Sequence, residues 1–294
     1  MFWNKKTNQQ TIYQQLTTLN CKNTQKHAIF RKFKNLCYIR STRQFFMLKK
    51  ERHDFIMRQI NLHNRVLTSD LVQLLNVSED TIRRDLQELV DTNLLYKVHG
   101  GALSKSYHSS FDDSTVYARD SKIIIAKKAA KLIKDGMVIL TGGGTTILEL
   151  VKLLPQGISA TFFTISPLVA VELAKYNNVE VILIGGLFSK NSQVTYGGQV
   201  ITQLSEIKAD LCLMGTSAIH PEEGLTDTYW EINQLKKAML ACAKRTAVLC
   251  ISEKLDIALR LRVCPLESIS YLITELDIND ESLSRYREKE LNIL

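Results

Sequence analysis

Apolar residues recur at helical spacing in three successive stretches near the start of the patterned part of the chain. After Lys49, Phe55, Ile56 and Ile60 fall on one face, and the polar run at 61–64 closes the first helix. Thr68 is expected to N-cap a second helix, in which Leu71, Leu74 and Leu75 repeat at three and four residues. Asn76-Val77 makes the turn. Ser78 caps a third helix, where Glu79 and Asp80 suit the positive end of the helix dipole and Ile82, Leu86 and Leu89 form the buried face. Residues 94–102 then read as strand, turn and strand. The pattern over 47–105 therefore predicts three helices and a wing.

Residues 104–120 are polar and serine-containing, and place a linker at 106–121. Beyond it a helix is expected over 122–133, with Ile124, Ile125 and Ala129 toward a core. Short β-rich runs follow at 137–140, 161–164, 179–184, 211–214, 247–251 and 270–273, with helical patterns at 147–154, 168–176 and 231–243 between them. Strands alternating with helices argue an α/β domain over 122–294, built on a mainly parallel, helix-covered sheet.

Composition supports two folded parts: 294 residues, 45% hydrophobic and 23% charged, are globular rather than disordered values. The formal charge of +8 suggests nucleic-acid binding until its distribution is considered. Residues 1–46 carry nine Lys and Arg and no Asp or Glu, so the rest of the chain is close to neutral. That segment has no sustained period. We read it as a non-globular extension upstream of a true start at Met47, in preference to a basic arm or an acid-free transit peptide. No run is apolar enough for a membrane span, so a soluble, cytoplasmic protein is expected. The six cysteines, Cys21, Cys37, Cys212, Cys242, Cys250 and Cys264, show no ligand or disulfide spacing, so no metal or cofactor is expected.

The candidate chemistry starts with adjacent Arg83 and Arg84 on the third helix. Arg84, Gln87 and Asp80 lie opposite the apolar face and Arg83 on its flank. On an isolated helix the arginines would read as a solvated face paired with Glu79, Asp80 and Glu88. In a capped helix-turn-helix followed by a hairpin bearing Lys97 and His99, they read as groups for the major groove, each good base contact worth about 1–3 kcal/mol. Ser78, Asp80, Thr81, Arg83, Arg84, Gln87, Lys97 and His99 are the candidate DNA-binding residues, and double-stranded DNA the expected partner.

In the second domain a strand runs into Thr141-Gly142-Gly143-Gly144-Thr145-Thr146 and then a helix, which aims backbone N–H groups and a positive dipole at one point. A tight structural turn needing positive φ is the alternative. Thr164-Ile165-Ser166 and Gly185-Gly186 also follow strands, where ligands of such sheets gather. Lys254, after the run at 247–251, either neutralises an anion or is solvated. The candidate effector residues are Gly143, Gly144, Thr145, Thr146, Thr164, Ser166, Gly185, Gly186 and Lys254.

Thr81-Ile82-Arg83-Arg84-Asp85-Leu86 followed by His99-Gly100-Gly101-Ala102 resembles the DeoR family of bacterial regulators of sugar metabolism. Gly144-Thr145-Thr146, Gly185-Gly186, Gly224-Leu225-Thr226, Lys237-Ala238-Met239 and Ser252-x-Lys254 are similar to its effector domain. The resemblance implies a winged helix-turn-helix, an effector domain related to pentose-phosphate isomerases, a phosphorylated sugar near Gly144, Thr145, Thr146 and Lys254, and dimers or tetramers. The chain departs from the family pattern at Asn93 (commonly Gly), Gly142-Gly143 (commonly Asp-Ser), Ile165 (Asn) and Ile251 (Asp), and Glu253 stands beside Lys254. Asn93 tolerates the left-handed backbone that Gly would take, whereas the effector-domain changes remove three polar groups and imply altered hydroxyl recognition.

The expected function is a repressor of a sugar-metabolism operon, its DNA binding modulated by a phosphosugar. The alternatives are an isomerase using Glu149 or Glu231 as general base, which no paired carboxylates support, and a regulator that binds DNA without a small ligand.

Overall fold

The computed structural model describes residues 47–63, 65–92, 94–104 and 116–294. The chain divides into Met1–Met47 and Leu48–Leu294. The readings of 1–46, of Asn93 and of most of the linker concern residues outside those described, and the fold below is that of the second unit.

The first helix, α1, spans Lys49–His63, so 61–63 continue the helix where a break was expected. Leu62 is the reason: it is buried among residues of the α/β part, which holds the last turn in place. A strand the pattern did not reveal, β1 (Arg65–Leu67), leads directly into α2 (Thr68–Leu75). Thr68 is the first helical residue and not the cap. Leu67 occupies the cap position without a side-chain bond, and the Thr68 N–H instead donates to the Gly100 carbonyl at 2.8 Å. Being only eight residues long, α2 buries Leu71 fully and leaves Leu74 exposed, contrary to expectation. Asn76 ends it in the left-handed conformation, φ 51°, which asparagine tolerates.

Ser78 caps α3 (Glu79–Asp91), its Oγ accepting the Thr81 N–H at 3.2 Å. Two strands, β2 (Leu95–Val98) and β3 (Gly101–Ser104), form the wing, and β1 pairs with β3 to give an antiparallel sheet in the order β1-β3-β2. Gly101 is required there, because a Cβ would lie 2.0 Å from the Val66 carbonyl oxygen. Ile56, Ile60, Leu71, Ile82, Leu86 and Leu89 close the core of this head.

The α/β part opens with α4 (Arg119–Ala130), which buries Ile125, Ala126 and Ala129 but leaves Ile124 exposed, one position off the expected face. Then follow β4 (Val138–Thr141), α5 (Thr145–Lys152), β5 (Ala160–Thr164), α6 (Pro167–Leu173) and β6 (Val179–Leu183). A ribbon of β7 (Leu187–Ser189) and β8 (Val194–Tyr196) precedes α7 (Gly198–Ser205) and β9 (Leu211–Gly215). Next come β10 (Ala218–His220), β11 (Gly224–Asp227), α8 (Trp230–Ala241), β12 (Thr246–Leu249), β13 (Leu261–Cys264), β14 (Tyr271–Ile273), α9 (Ser284–Arg287) and β15 (Asn292–Ile293).

Seven of these strands form one parallel sheet in the order β15-β14-β12-β9-β4-β5-β6. Alternate side chains enter opposite cores: Ile139, Leu211, Leu213 and Leu249 on one face, Leu140, Cys212, Met214 and Val248 on the other. Burial on both faces explains why these strands read as continuous apolar runs. The chain winds outward from β4 through β5 to β6, then returns to place β9 on the other side of β4. That reversal opens a crevice at the carboxyl ends of β4 and β9, where ligands of open α/β sheets bind.

Candidate DNA-binding face and effector cleft

On α3 the caps and the apolar stripe fix which side chains face outward. Arg83 and Arg84 are both exposed. Arg83 pairs with Glu79 one turn away, Nη2 to Oε1 at 2.6 Å, while Arg84 has no hydrogen bond or ion pair among the described residues. Exposed pairs of that kind contribute little, about 0.3–0.5 kcal/mol, so a phosphate can displace Glu79 readily. Glu88 is engaged elsewhere, by Lys49. Gln87 joins helix to wing: its amide donates to Asp91 at 2.7 Å and its carbonyl accepts from Lys97. His99 lies exposed in the wing turn before Gly100, whose φ is +74°. Ser78, Asp80 and Thr81 form the first turn of α3 and its cap.

The sequence did not reveal what holds this face rigid. Asp85, inside the Arg-Arg-Asp motif, is buried and receives a two-point ion pair from Arg52 of α1, Nη2 to Oδ1 at 2.9 Å, plus His53 Nε2 at 3.1 Å. Burial alone would raise its pKa, but the hydrogen bonds from Arg52 and His53 outweigh it and hold the carboxyl below its usual range. An aspartate at the position of Leu86 minus one, on the edge of the apolar face, was the available signal.

The crevice between β4 and β9 is a cleft of about 170 Å³. Gly142, Gly143, Gly144, Thr145 and Thr146 line one side of it, and Gly215, Thr216 and Ser217 the other. Gly144 takes φ +105° and its carbonyl accepts the first helical bond of α5, from Leu148, so the preceding loop turns sharply and leaves the helix N-terminus facing the cleft. Gly143 is needed for packing: a Cβ would come within 2.6 Å of Val194 Cγ1.

Cations gather here. Lys254 Nζ donates to the Thr216 carbonyl at 2.8 Å, and Lys122 Nζ to the Tyr117 carbonyl at 2.6 Å. Burial, with Lys254 nearby, pushes the Lys122 ammonium down to about 7, and burial lowers Lys254 as well. Asp227 is the buried carboxylate of the cleft, and it is neutralised by Lys236 at 2.6 Å and bonded by Ser217 at 3.0 Å. Its pKa lies below the usual range although burial opposes this, because Lys236 prevails. An uncompensated positive cleft with free backbone donors suits an anion.

Four of the nine expected effector residues stand elsewhere. Thr164 is buried, its hydroxyl donating to the Thr141 carbonyl at 3.4 Å and accepting the Ser166 N–H at 3.1 Å, so it braces β5 against β4. Ser166 Oγ donates to the Gln193 carbonyl at 3.4 Å. Gly185 and Gly186 lie after β6, outside the cleft. A Cβ on Gly186 would meet Val200 at 2.3 Å and the Tyr196 carbonyl at 2.8 Å, so this glycine serves packing. Strand-end position alone did not distinguish these from lining residues.

The reading missed Lys122, Asp227, Lys236, His63 and Arg65, all of which line the cleft. The departures Gly142, Gly143, Ile165 and Ile251 line it too, and so make its wall less polar. Glu253 does not. Its carboxylate accepts from Arg58 Nε at 3.0 Å and from the Tyr117 hydroxyl at 2.6 Å. Glu149 is buried between Lys152 and Arg119, and Glu231 is exposed, so neither carboxylate meets the cleft. Among the described residues no group of three or more His, Cys, Asp or Glu could hold a metal, and no helix is long and apolar enough to cross a membrane.

Comparison with known proteins matches residues 52–108 to the DeoR-like helix-turn-helix domain and residues 118–276 to the DeoR C terminal sensor domain. The chain belongs to the DeoR family. It is 30% identical over 250 residues to the HTH-type transcriptional regulator GolR of Listeria innocua, covering 84% of this chain and 98% of that protein. It is 32% identical over 232 residues to the HTH-type transcriptional repressor GlcR of Bacillus subtilis, covering 78% and 89%. Among solved structures it is similar to ribose 5-phosphate isomerase A of Methanocaldococcus jannaschii, with TM-score 0.36 and 21% identity over 47% of this chain and 55% of that one. Like these DeoR-family relatives, the chain is a DNA-binding transcriptional regulator and not an enzyme.

Proposed function

We propose that this DeoR-family regulator is a repressor of a sugar-metabolism operon, acting in the cytoplasm as a homo-oligomer whose operator affinity is set by a phosphorylated sugar in the cleft. The observation that carries this reading is the glycine loop of 142–144 and the N-terminus of α5 meeting Lys122 and Lys254 at the crevice between β4 and β9. A phosphate there would accept backbone hydrogen bonds while two lysines offset its charge. Arg83 and Arg84 would engage the major groove and Lys97 and His99 the adjacent backbone, and paired heads would read paired half-sites. The ligand acts only in so far as it binds the DNA-competent and DNA-released arrangements unequally.

Gel shifts on fragments flanking the protein's own gene, with and without hexose and pentose phosphates, test the reading. Specific binding that one sugar phosphate weakens, and the unphosphorylated sugar does not, is the expected result. Specific binding indifferent to every sugar phosphate would favour regulation without a small ligand.

A further inference from the structure

The cleft is not made by the α/β part alone. The last turn of α1 contributes Asn61, Leu62 and His63, and β1 contributes Arg65. Leu62 is buried in the α/β core, so the head is seated against the site by packing rather than by a passing side-chain contact. Arg65 also lines an adjoining recess beside Tyr229 and the β7–β8 turn, and so stands where the two hollows meet. The guanidinium bonds the Tyr229 side chain, but its Nε is buried and has no hydrogen-bond partner among the described residues. A buried charged donor left unsatisfied is costly, and an acceptor supplied by a ligand would relieve it.

Resting on the phosphosugar reading above, we propose that the DNA-binding head itself holds the effector: Arg65 donates to the bound sugar phosphate from β1, with His63 beside it, so the ligand bridges head and sensor. His63 can serve as a neutral N–H donor, since burial and nearby Lys254 push it down to about 4.

The position of Arg65 gives the contact a route to DNA. Arg65 pairs with Leu103 and Leu67 with Gly101 on the wing strand β3, and the next residue, Thr68, is bonded to Gly100 in the wing turn. The chain then passes straight into α2, which packs on α3. A ligand that fixes Arg65 fixes the base of the wing and the start of the helix-turn-helix together. Because the head supplies part of the site, ligand binding and head placement are reciprocally linked.

The test uses the full-length protein. Isothermal titration with a panel including ribose 5-phosphate, glucose 6-phosphate and fructose 1-phosphate identifies the tightest ligand. Arg65→Gln should then weaken it roughly tenfold or more, the loss expected for a charge-assisted hydrogen bond, as should Lys254→Met. Hydrogen exchange on the unaltered protein supplies a second readout that needs no variant: ligand should slow exchange over 60–68 as well as over 142–148. If no sugar phosphate binds, the phosphosugar reading fails and this inference with it. If the ligand binds, Lys254→Met weakens it, Arg65→Gln does not and 60–68 stay unprotected, the head is no part of the site and this inference alone is overturned.

Discussion

Arg58 on α1 donates from Nε to Oε2 of Glu253 at 3.0 Å, joining the DNA-binding head to the short turn that carries Lys254. Tyr117 bonds the other oxygen of the same carboxylate, so this acidic residue anchors the head instead of opposing the effector. Both partners are partly exposed, and an ion pair of that kind contributes about 1 kcal/mol or less. Arg58→Ala should therefore scarcely change the melting temperature, yet speed amide exchange in α1. Unchanged exchange in α1 would show that the pair does not hold the head.

Asp85 predicts a different scale of effect. Removing it takes away the carboxylate that Arg52 and His53 bond, and because this pair is only part-buried the loss should be about 3 kcal/mol or less, the low end for breaking a buried pair. Asp85→Ala should lower the denaturation midpoint by a matching amount and abolish DNA binding by unfolding the head. Because the folded carboxyl is held below its usual value, its contribution is present above the unfolded pKa of about 4 and is lost as pH falls further. Acid unfolding of the wild-type head should steepen there.

If a phosphorylated sugar occupies the cleft as proposed, Lys122 should make its binding sensitive to pH. Burial and Lys254 hold it at about 7, and an arriving dianion would restore the charged form. Bound ligand thus raises the pKa, so binding takes up a proton and affinity rises as pH falls toward about 7. Protonation of the phosphate near pH 6 ends the trend. Titrations in two buffers of different ionisation heat should report proton uptake, which Lys122→Met removes. Equal observed heats in the two buffers would rule Lys122 out.

The helices, the parallel strands and the exposed Arg83 and Arg84 were legible because caps and period act locally. The end of α1 was not, since Leu62 is helical through burial in a distant core. β1 was hidden because three residues carry no period of their own and are defined by pairing with β3. In the cleft, Gly143 to Thr146 could be found from a loop between strand and helix. Lys122 and Arg65 could not, because a lysine before three isoleucines and an arginine after a polar run look solvated until the sheet order and the seating of the head bring them to one crevice. Thr164 and Ser166 show the converse: hydroxyls at a strand end that are consumed by the backbone.

On the proposed function, α3 reads DNA through Arg84. Fluorescence anisotropy of the full-length protein against DNA selected by the wild type from a random pool, for wild type and Arg84→Ala, tests it most directly. Loss of sequence-specific binding, at least about tenfold and with the melting temperature retained, is expected, because Arg84 is exposed and bonds nothing among the described residues. Unchanged affinity and specificity in a folded Arg84→Ala protein would contradict it.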